Sequence, residues 1–317
     1  MEKAKRCAIF GNTYQPKKCE AVQKLFDALT AFGIEPLIDR PFFDYLKDEM
    51  HVSIPEHQLI TDDGFEADFA VSMGGDGTFL TTAMRVGEKQ IPILGINTGR
   101  LGFLADFSLD DIMQTLQNLQ EGLLRKELCN VLQVVSKGQG ARSKEQGAGL
   151  QGYPFALNEV AVLKHDSSSM ISIRVDLDGE YLTTYQADGL VINTPTGSTA
   201  YALSVGGSVM LPGSQIIGLV PVAPHGLTVR PLILPDNLDI TLTVESRSHN
   251  FLVAIDGRSE SLQDTTRLTI RKAPYQVTVL KRPDTTFLHT LRSKLLWGSD
   301  ARRIDNWTIS QLDNFTI

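Results

Sequence analysis

The apolar residues in the first part of the chain follow two spacings, one typical of helices and one of strands. Helical spacing predicts helices over residues 18–32 and 110–124. Their apolar faces carry Val22, Leu25, Phe26 and Leu29 in the first, and Ile112, Leu116, Leu119 and Leu123 in the second. Short apolar segments predict four strands: Cys7–Phe10, Glu35–Ile38, Ala67–Met73 and Ile91–Ile96. Residues 39–62 show no regular pattern. Alternating strands and helices predict a parallel sheet, in which ligands bind beyond the carboxyl ends of the strands.

The pattern changes over residues 126–284, where β-branched and polar residues alternate. Asp178-Gly179 and Asp256-Gly257 are residue pairs typical of two-residue hairpin turns. This region is therefore predicted to be a mostly antiparallel, β-sandwich-like domain. Within it, residues 136–152 hold several glycines and few apolar residues, which indicates a mobile hairpin loop.

A helical pattern returns after Phe287, around Thr290–Trp297. We expect this tail to return to the first domain. The predicted fold class is α/β plus all-β. A Rossmann-like parallel α/β domain comprises residues 1–125 with 286–317, and a β-rich domain comprises residues 126–285. The length of 317 residues also favours two domains.

Composition excludes several classes of protein. The net charge of −7 argues against a nucleic-acid binder, which usually carries a basic stripe. The three cysteines are scattered and have no metal-ligand spacing, which fits a reducing cytoplasm. We recognise neither a signal peptide nor an apolar segment long enough to span a membrane.

The segment Met73-Gly74-Gly75-Asp76-Gly77-Thr78 follows an apolar strand. Glycines let a ligand approach the backbone closely, and N–H groups at a helix N-terminus attract phosphate. A carboxylate repels phosphate, so Asp76 suits a role in metal binding or as acceptor of a proton from an attacking hydroxyl. The loop therefore suggests phosphoryl transfer. It matches neither the P-loop nor the dinucleotide-binding glycine pattern, and a tight turn with an acid near a helix start is the alternative.

A second segment, Asp188 to Tyr201, runs from an apolar strand into a turn rich in hydroxyl groups. Small hydroxylated side chains around Gly197 offer several hydrogen bonds in little space, and Tyr201 offers a flat face for a base or ribose. The alternative is a turn that begins a helix, where Ser and Thr are common.

Taken together, the glycine loop, Asn158-Glu159 and Thr194-Pro195-Thr196-Gly197-Ser198-Thr199-Ala200-Tyr201 resemble the NAD kinases. The resemblance extends over nearly the whole chain, to Leu291–Trp297. It implies transfer of a phosphoryl group from ATP to the 2′-hydroxyl of the adenosine ribose of NAD, with a divalent metal, Mg²⁺, on the ATP phosphates. It also implies an α/β N-terminal domain, a β-rich C-terminal domain and NAD in the cleft between them.

The resemblance assigns roles to individual residues. Asp76 corresponds to the general base. Asp188 corresponds to an acid near the nicotinamide. The dinucleotide contacts implied in total are Gly75, Asp76, Gly77, Thr78, Asn158, Glu159, Gln186, Asp188, Thr199, Ala200, Tyr201, Ala202, Leu203, Ser204 and Arg258. Arg100 suits an anionic phosphate, or is a solvated surface arginine, and Arg258 is otherwise an exposed turn residue.

Two other classes of function remain open. A lipid or other small-molecule kinase would share the glycine loop but needs an apolar pocket or a basic membrane-facing patch. A non-catalytic NAD(P) sensor would have no use for the carboxylate of Asp76. From the resemblance we expect a cytoplasmic homo-oligomer, a dimer or tetramer, that binds NAD and ATP, with neither nucleic acid nor membrane as partner.

Overall fold

The computed structural model describes residues 5–13, 19–50, 52–98, 102–137, 152–166 and 169–298. The chain forms two compact units. The first consists of residues 1–127 and 278–317, and the second of residues 128–277. Most of the predicted loop 136–152 lies outside the described residues.

The first unit contains strands and helices that alternate along the chain. Its elements before the second unit are β1 (Arg6–Gly11), α1 (Cys19–Ala31), β2 (Glu35–Asp39), α2 (Arg40–Tyr45), β3 (Gln58–Ile60), β4 (Phe69–Gly74), α3 (Asp76–Val86), β5 (Ile93–Asn97) and α4 (Ile112–Gln120). A π-helical turn (Leu46–Met50) and two 3₁₀ turns (Gly87–Lys89 and Leu109–Asp111) complete this part.

The second unit consists almost entirely of strands. They are β6 (Arg125–Lys137), β7 (Phe155–Ala156), β8 (Glu159–Lys164), β9 (Ile171–Leu177), β10 (Glu180–Ala187), β11 (Gly189–Asn193), β12 (Ile216–Val222), β13 (Leu232–Pro235), β14 (Ile240–Glu245), β15 (Asn250–Ile255), β16 (Arg258–Gln263) and β17 (Arg267–Lys281). A 3₁₀ turn (Thr196–Thr199) precedes the short helix α5 (Tyr201–Ser204). Strand β6 starts in the first unit, and β17 ends there, before α6 (Phe287–Leu295).

The sheet of the first unit is parallel, with the order β5-β4-β1-β2-β3. The end of β17 adds a further parallel strand beside β5, pairing Val279 with Ile93 and Leu280 with Leu94. Strand β4 is buried along its whole length, as a central parallel strand covered on both faces should be. The carboxyl ends of β4 and β5 therefore lie side by side, and they bring Gly74 next to Asn97.

The core of the first unit confirms the predicted face of α1, since Val22, Leu25, Phe26 and Leu29 are all buried in it. The prediction for the second helix is partly wrong. Helix α4 ends at Gln120, so Leu123 lies beyond it and is 54% exposed. The stretch 39–62, predicted to be irregular, contains α2, which starts with a proline in its first turn, and β3.

The second unit has two antiparallel sheets. One has the order β13-β12-β11-β8-β15-β16, and the other includes β10-β9-β14-β17 with β6 and β7. A single apolar cluster takes side chains from both, including Val162 and Leu190 from the first and Val175 and Leu242 from the second. Two sheets that share one apolar core confirm the predicted sandwich-like architecture.

Both predicted hairpin turns are present. Asp178 and Gly179 have φ of +48° and +86° and connect β9 to β10, while Asp256 and Gly257 have φ of +47° and +79° and connect β15 to β16. Positive φ at both central residues is the type I′ geometry that favours Asp followed by Gly. Among the described residues, no helix is long and apolar enough to cross a membrane.

Candidate active site

Asp76 is the first residue of α3, at the carboxyl end of the parallel sheet. Its carboxylate accepts three hydrogen bonds from consecutive backbone N–H groups. Phe103 donates to Oδ2 at 2.7 Å, and Leu104 and Ala105 donate to Oδ1 at 3.0 and 3.2 Å. A carboxylate offers about four lone-pair sites. The loop therefore fixes the orientation of Asp76 and leaves one site on Oδ2 for a proton.

Glycines surround this carboxylate for two different reasons. A β-carbon at Gly102 would overlap the carboxylate of Asp76, and one at Gly74 would overlap the side chain of Thr78, so the protein itself requires glycine at both positions. A β-carbon at Gly75 or Gly77 would meet none of the described atoms within 4 Å. A ligand can therefore approach the backbone of the first turn of α3 at these two glycines.

Two lysines lie close to the loop that holds Asp76. The buried Nζ of Lys281 donates to the carbonyl oxygens of Phe103 and Leu104, at 2.9 and 3.4 Å. The Nζ of Lys294 lies 5.3 Å from the centre of the Phe103 ring. The loop thus donates its N–H groups to a carboxylate while its carbonyl groups bind an ammonium. The candidate phosphate ligand Arg100 lies outside the described residues.

A second aspartate holds the Asn158-Glu159 segment in the second unit. The carboxylate of Asp256 accepts the N–H of Leu157 at 2.7 Å, of Asn158 at 2.8 Å and of Glu159 at 3.1 Å. Burial raises the pKa of Asp256, and the three N–H donors and the nearby Arg258 act in the opposite direction. The predicted ligand pair is therefore held in one conformation before any ligand binds.

Glu159 is a strongly perturbed acid of this region. Its side chain is buried, and Oε2 has no hydrogen-bond partner among the described residues. Burial and the charge of Asp256 raise the pKa of Glu159 to about 7, although the N–H of Tyr201 donates to its carboxylate. A carboxyl with such a pKa donates or accepts a hydrogen bond near neutral pH. Perturbed acids of this kind are typical of ligand sites.

The hydroxyl-rich segment packs directly on this pair. Thr194 donates its N–H to the carbonyl of Asn158 at 2.9 Å and its hydroxyl to the carbonyl of Leu157 at 2.6 Å. A β-carbon at Gly197 would overlap the backbone of Asn158. Ser198 is fully buried, and its hydroxyl donates to the carbonyl of Pro195 at 2.7 Å. These hydroxyls hold the turn together, whereas the surfaces of Thr199, Ala200, Tyr201 and Leu203 are partly exposed, and that of Ser204 is exposed.

Gln186 and Asp188 line a cavity of about 750 Å³ within the second unit. Lys164 forms an ion pair with Asp188 at 2.7 Å, and the N–H of His225 donates to the carbonyl of Gln186 at 2.8 Å. Lys164 and His225 also line the cavity. The two predicted ligand residues are thus neighbours in one polar, open pocket.

Arg258 is not a freely exposed turn residue. Its guanidinium donates to the carbonyl oxygens of Tyr153 and Phe155, at 3.3 and 3.1 Å, and lies over the Tyr153 ring at 5.2 Å. Arg258 therefore supports the strand that leads into Asn158-Glu159. Any contact with a ligand would be additional to these.

Sequence reasoning missed Asp256, Lys281 and Lys294. The hairpin turn explains Asp256-Gly257 without any tertiary role, so the sequence carried no further signal there. Lys281 ends an apolar segment and Lys294 lies on a helix of mixed polarity, and in neither place does an inward-facing lysine have a clear local signature. A partial signal for Lys281 is that an apolar run, Val277 to Leu280, continues directly into it.

These features define a class of protein. An acid at a glycine-rich helix N-terminus on a parallel sheet, together with a β-rich unit that presents a buried acid beside a hydroxyl-rich turn, is typical of a phosphotransferase with a nucleotide substrate. Comparison with known families identifies the class more closely. Residues 7–124 match the ATP-NAD kinase N-terminal domain, and residues 157–282 match the ATP-NAD kinase C-terminal domain. The chain belongs to the ATP-NAD kinase family.

Individual relatives agree. The chain is 52% identical to an NAD kinase of Bacteroides fragilis over 295 residues, which cover 93% of this chain and 99% of the relative. It is 37% identical to an NAD kinase of Porphyromonas gingivalis over 307 residues, covering 94% and 100% of the two chains.

Solved structures show the same fold. Yeast NADH kinase complexed with NADH matches with a TM-score of 0.84 at 21% identity, covering 95% of this chain and 89% of that one. An NAD kinase from Archaeoglobus fulgidus in complex with ATP matches with a TM-score of 0.66 at 26% identity, covering 87% and 94%. The N-terminal parallel sheet with helices and the β-rich C-terminal domain are thus confirmed.

Proposed function

We propose that the protein transfers the terminal phosphoryl group of ATP to the 2′-hydroxyl of the adenosine ribose of NAD, giving NADP and ADP. Asp76 is the general base. The observation that carries this assignment is the fixed carboxylate of Asp76, with one free site on Oδ2, beside the open N-terminus of α3. Membership of the ATP-NAD kinase family supports the choice of substrates.

In this mechanism the carboxylate of Asp76 accepts the proton of the 2′-hydroxyl as the new bond to phosphorus forms. A ribose hydroxyl is a poor nucleophile at neutral pH, and a positioned base contributes about 10²–10⁴-fold. The rest of the acceleration comes from placing the two substrates and stabilising charge on the transferred group. The N–H groups of Gly75 to Thr78 bind phosphate oxygens in this proposal.

The second unit binds the dinucleotide. We assign the adenosine half to Thr199–Ser204 with Asn158 and Glu159, and the nicotinamide half to Asp188 and Gln186. The support is that Glu159 and Tyr201 share a hydrogen bond and that Gln186 and Asp188 line one cavity. Glu159, with a pKa of about 7, then binds ribose hydroxyls as donor or acceptor.

The divalent cation enters with the nucleotide, as magnesium-bound ATP. Among the described residues, no group of three His, Cys, Asp or Glu side chains is arranged to hold a metal ion. Mg²⁺ usually keeps several waters and needs only one or two carboxylates besides substrate phosphates. Mg²⁺ held by the ATP phosphates and waters would supply the positive charge that an acidic chain lacks, and the one free site on Oδ2 of Asp76 stays available for the proton.

We also propose that the enzyme is a cytoplasmic homo-oligomer, a dimer or tetramer. Its support is membership of the ATP-NAD kinase family. Light scattering on the purified protein measures the number of chains, and a monomer at micromolar concentration would contradict this part of the proposal.

The test of the activity is a coupled assay with NAD, ATP and Mg²⁺, in which an NADP-specific dehydrogenase reads the product. In Asp76→Asn the amide oxygen still accepts the N–H groups of Leu104 and Ala105, so the variant should retain NAD binding in calorimetry. Its kcat should fall by about 10²–10⁴-fold, because the amide accepts no proton. Asp48→Asn is the matched control, since Asp48 is an exposed aspartate of the same unit.

Equal loss of NAD affinity and turnover in Asp76→Asn would contradict the role as base. No NADP from the unmodified protein, also with Mn²⁺ or polyphosphate substituted, would overturn the activity itself. NAD binding without turnover would then indicate a sensor, and turnover of a lipid substrate would indicate a lipid kinase.

A further inference from the structure

Lys294 has an unusual orientation for a lysine near the end of a helix. The residue as a whole is partly exposed, yet its Nζ is buried and has no hydrogen-bond partner among the described residues. Lysines on protein surfaces normally do the reverse, burying the aliphatic stem and keeping the ammonium in water. In this protein the ammonium points into the first unit.

The surroundings of this ammonium belong to the Asp76 loop. Nζ lies over the ring of Phe103, whose own N–H donates to Asp76. Burial lowers the pKa of Lys294, the charge of Lys281 acts in the same direction, and the carboxylates of Asp106 and Asp76 oppose it. The charges that act on this ammonium thus include those of the proposed base, a second acid and a second lysine.

The two lysines differ in what they bind. Lys281 is committed to two carbonyl groups of the loop. In the part of the chain that the structure describes, Lys294 meets only the face of an aromatic ring, which satisfies none of its three N–H donors as a hydrogen bond would. A buried ammonium without hydrogen bonds destabilises a folded protein. Such a group is retained where function requires it, because active sites hold strained or unsatisfied groups.

An anion would satisfy this ammonium. The glycine loop lacks the lysine that follows the glycines of a P-loop and reaches the β- and γ-phosphates. Besides Lys294 itself, the charges here are those of Asp76, Asp106 and Lys281, which leave a net negative charge, so a triphosphate there needs a further cation from the chain.

We propose that Lys294 is that cation: its ammonium binds phosphate oxygens of the nucleotide donor at the Asp76 site. This inference rests on the proposed function, because it takes ATP as the ligand. Lys294 lies on a helix near the end of the chain. From there it supplies the positive charge that a P-loop carries next to its glycines.

The test compares Lys294→Met, which keeps the length of the side chain and removes the charge, with Arg292→Met. Arg292 is an exposed cation on the same helix and serves as the matched control. For Lys294→Met we expect kcat/KM for ATP to fall by about 10- to 100-fold, the loss of one charged hydrogen bond. KM for NAD should change less than about twofold. Lys294→Arg should recover part of the loss.

Two further readouts separate this role from a structural one. Calorimetric affinity for a magnesium-bound, non-hydrolysable ATP analogue should fall in Lys294→Met, and the thermal midpoint should stay equal or rise because an unsatisfied charge has been removed. Unchanged analogue affinity, or a lower midpoint with equal losses for ATP and NAD, would overturn the proposal. If Lys294→Met does not fold, Lys294→Gln takes its place with the same criteria.

NADP formation by the unmodified protein tests the proposed function, whereas the ratio of analogue affinities tests Lys294. If the unmodified protein forms NADP but Lys294→Met binds the analogue as tightly as the unmodified protein does, the proposed function stands and this inference is wrong. If the unmodified protein neither forms NADP nor binds the analogue, both are overturned.

Discussion

Two aspartates, one in each unit, use their carboxylates in the same way. Asp76 accepts hydrogen bonds from the backbone N–H groups of Phe103, Leu104 and Ala105. Asp256 accepts hydrogen bonds from the backbone N–H groups of residues 157–159. In each case one side chain fixes the backbone of a distant segment. For Asp76 this fixes the base itself, and for Asp256 it fixes the segment that carries Glu159.

The raised pKa of Glu159 makes the stability of the folded protein depend on pH. Between the ordinary value of 4.5 and about 7, the folded state binds more protons at this site than the unfolded state. The free energy of unfolding therefore falls as pH rises through this window, and the loss is complete above it.

We accordingly expect Glu159→Gln to be more stable than the unmodified protein at pH 8, by about 1–3 kcal/mol, and equally stable near pH 4.5. Urea unfolding at several pH values measures the difference. Glu180→Gln, a change at an exposed glutamate of the same unit, should show no such dependence. A constant difference between the two proteins across pH 5–8 would argue against the raised pKa.

At the scale of elements, the two type I′ hairpins allow a matched comparison. Asn tolerates positive φ as Asp does, so Asp256→Asn and Asp178→Asn both keep their turns. Asp256→Asn keeps one oxygen and replaces the other by an NH₂ donor, so at least one N–H group of residues 157–159 loses its acceptor. Asp178→Asn weakens one exposed bond, from the N–H of Asp239.

Asp256→Asn should therefore lower the free energy of unfolding by about 2–4 kcal/mol, and Asp178→Asn by less than about 1 kcal/mol. Chemical denaturation of the two variants measures both values. Asp256→Asn should also lower the pKa of Glu159, because it removes a like charge. Similar losses in the two variants would mean that the turn, and not the carboxylate, determines the effect.

The sequence predicted elements well where one face of a long helix or a whole strand is buried. The four residues on the apolar face of α1 are an example, as are the two Asp-Gly turns. The sequence predicted elements poorly where local backbone geometry decides where a helix begins or ends. It gave no sign of the short helix α2, and it placed Leu123 in α4 because of its helical spacing, although the helix ends at Gln120.

Much of the candidate site was accessible from sequence because its motifs are contiguous, as with Gly74–Thr78 and Asn158-Glu159. The remaining members act through tertiary contacts. Asp256 lies about 100 residues from the N–H groups that it accepts, and Lys281 about 180 residues from the loop that it holds. Neither spacing nor composition reveals such pairings.

For the molecule as a whole, the important feature is that the second unit is continuous and the first is not. A fragment of residues 128–277 contains both antiparallel sheets and their common core. A fragment of residues 1–127 lacks the end of β17, so β5 presents an unpaired apolar edge.

We expect fragment 128–277 to fold alone and to unfold cooperatively on heating. Fragment 1–127 should aggregate, and joining it to residues 278–317 through a flexible Gly-Ser linker should restore a soluble fold. Circular dichroism and size-exclusion chromatography test all three. A soluble, cooperatively unfolding fragment 1–127 would contradict the importance of the β17 edge.

The pairing of β17 with β5 also has a consequence for synthesis on the ribosome. Ile93 leaves the exit tunnel early, but its partner Val279 follows roughly 190 residues later. At about 5–20 residues per second, the apolar edge of β5 waits on the order of ten seconds or more for its neighbour. All of the second unit is therefore synthesised before the sheet of the first unit is complete. During that interval the unpaired edge of β5 is the part of the nascent protein that a chaperone would bind.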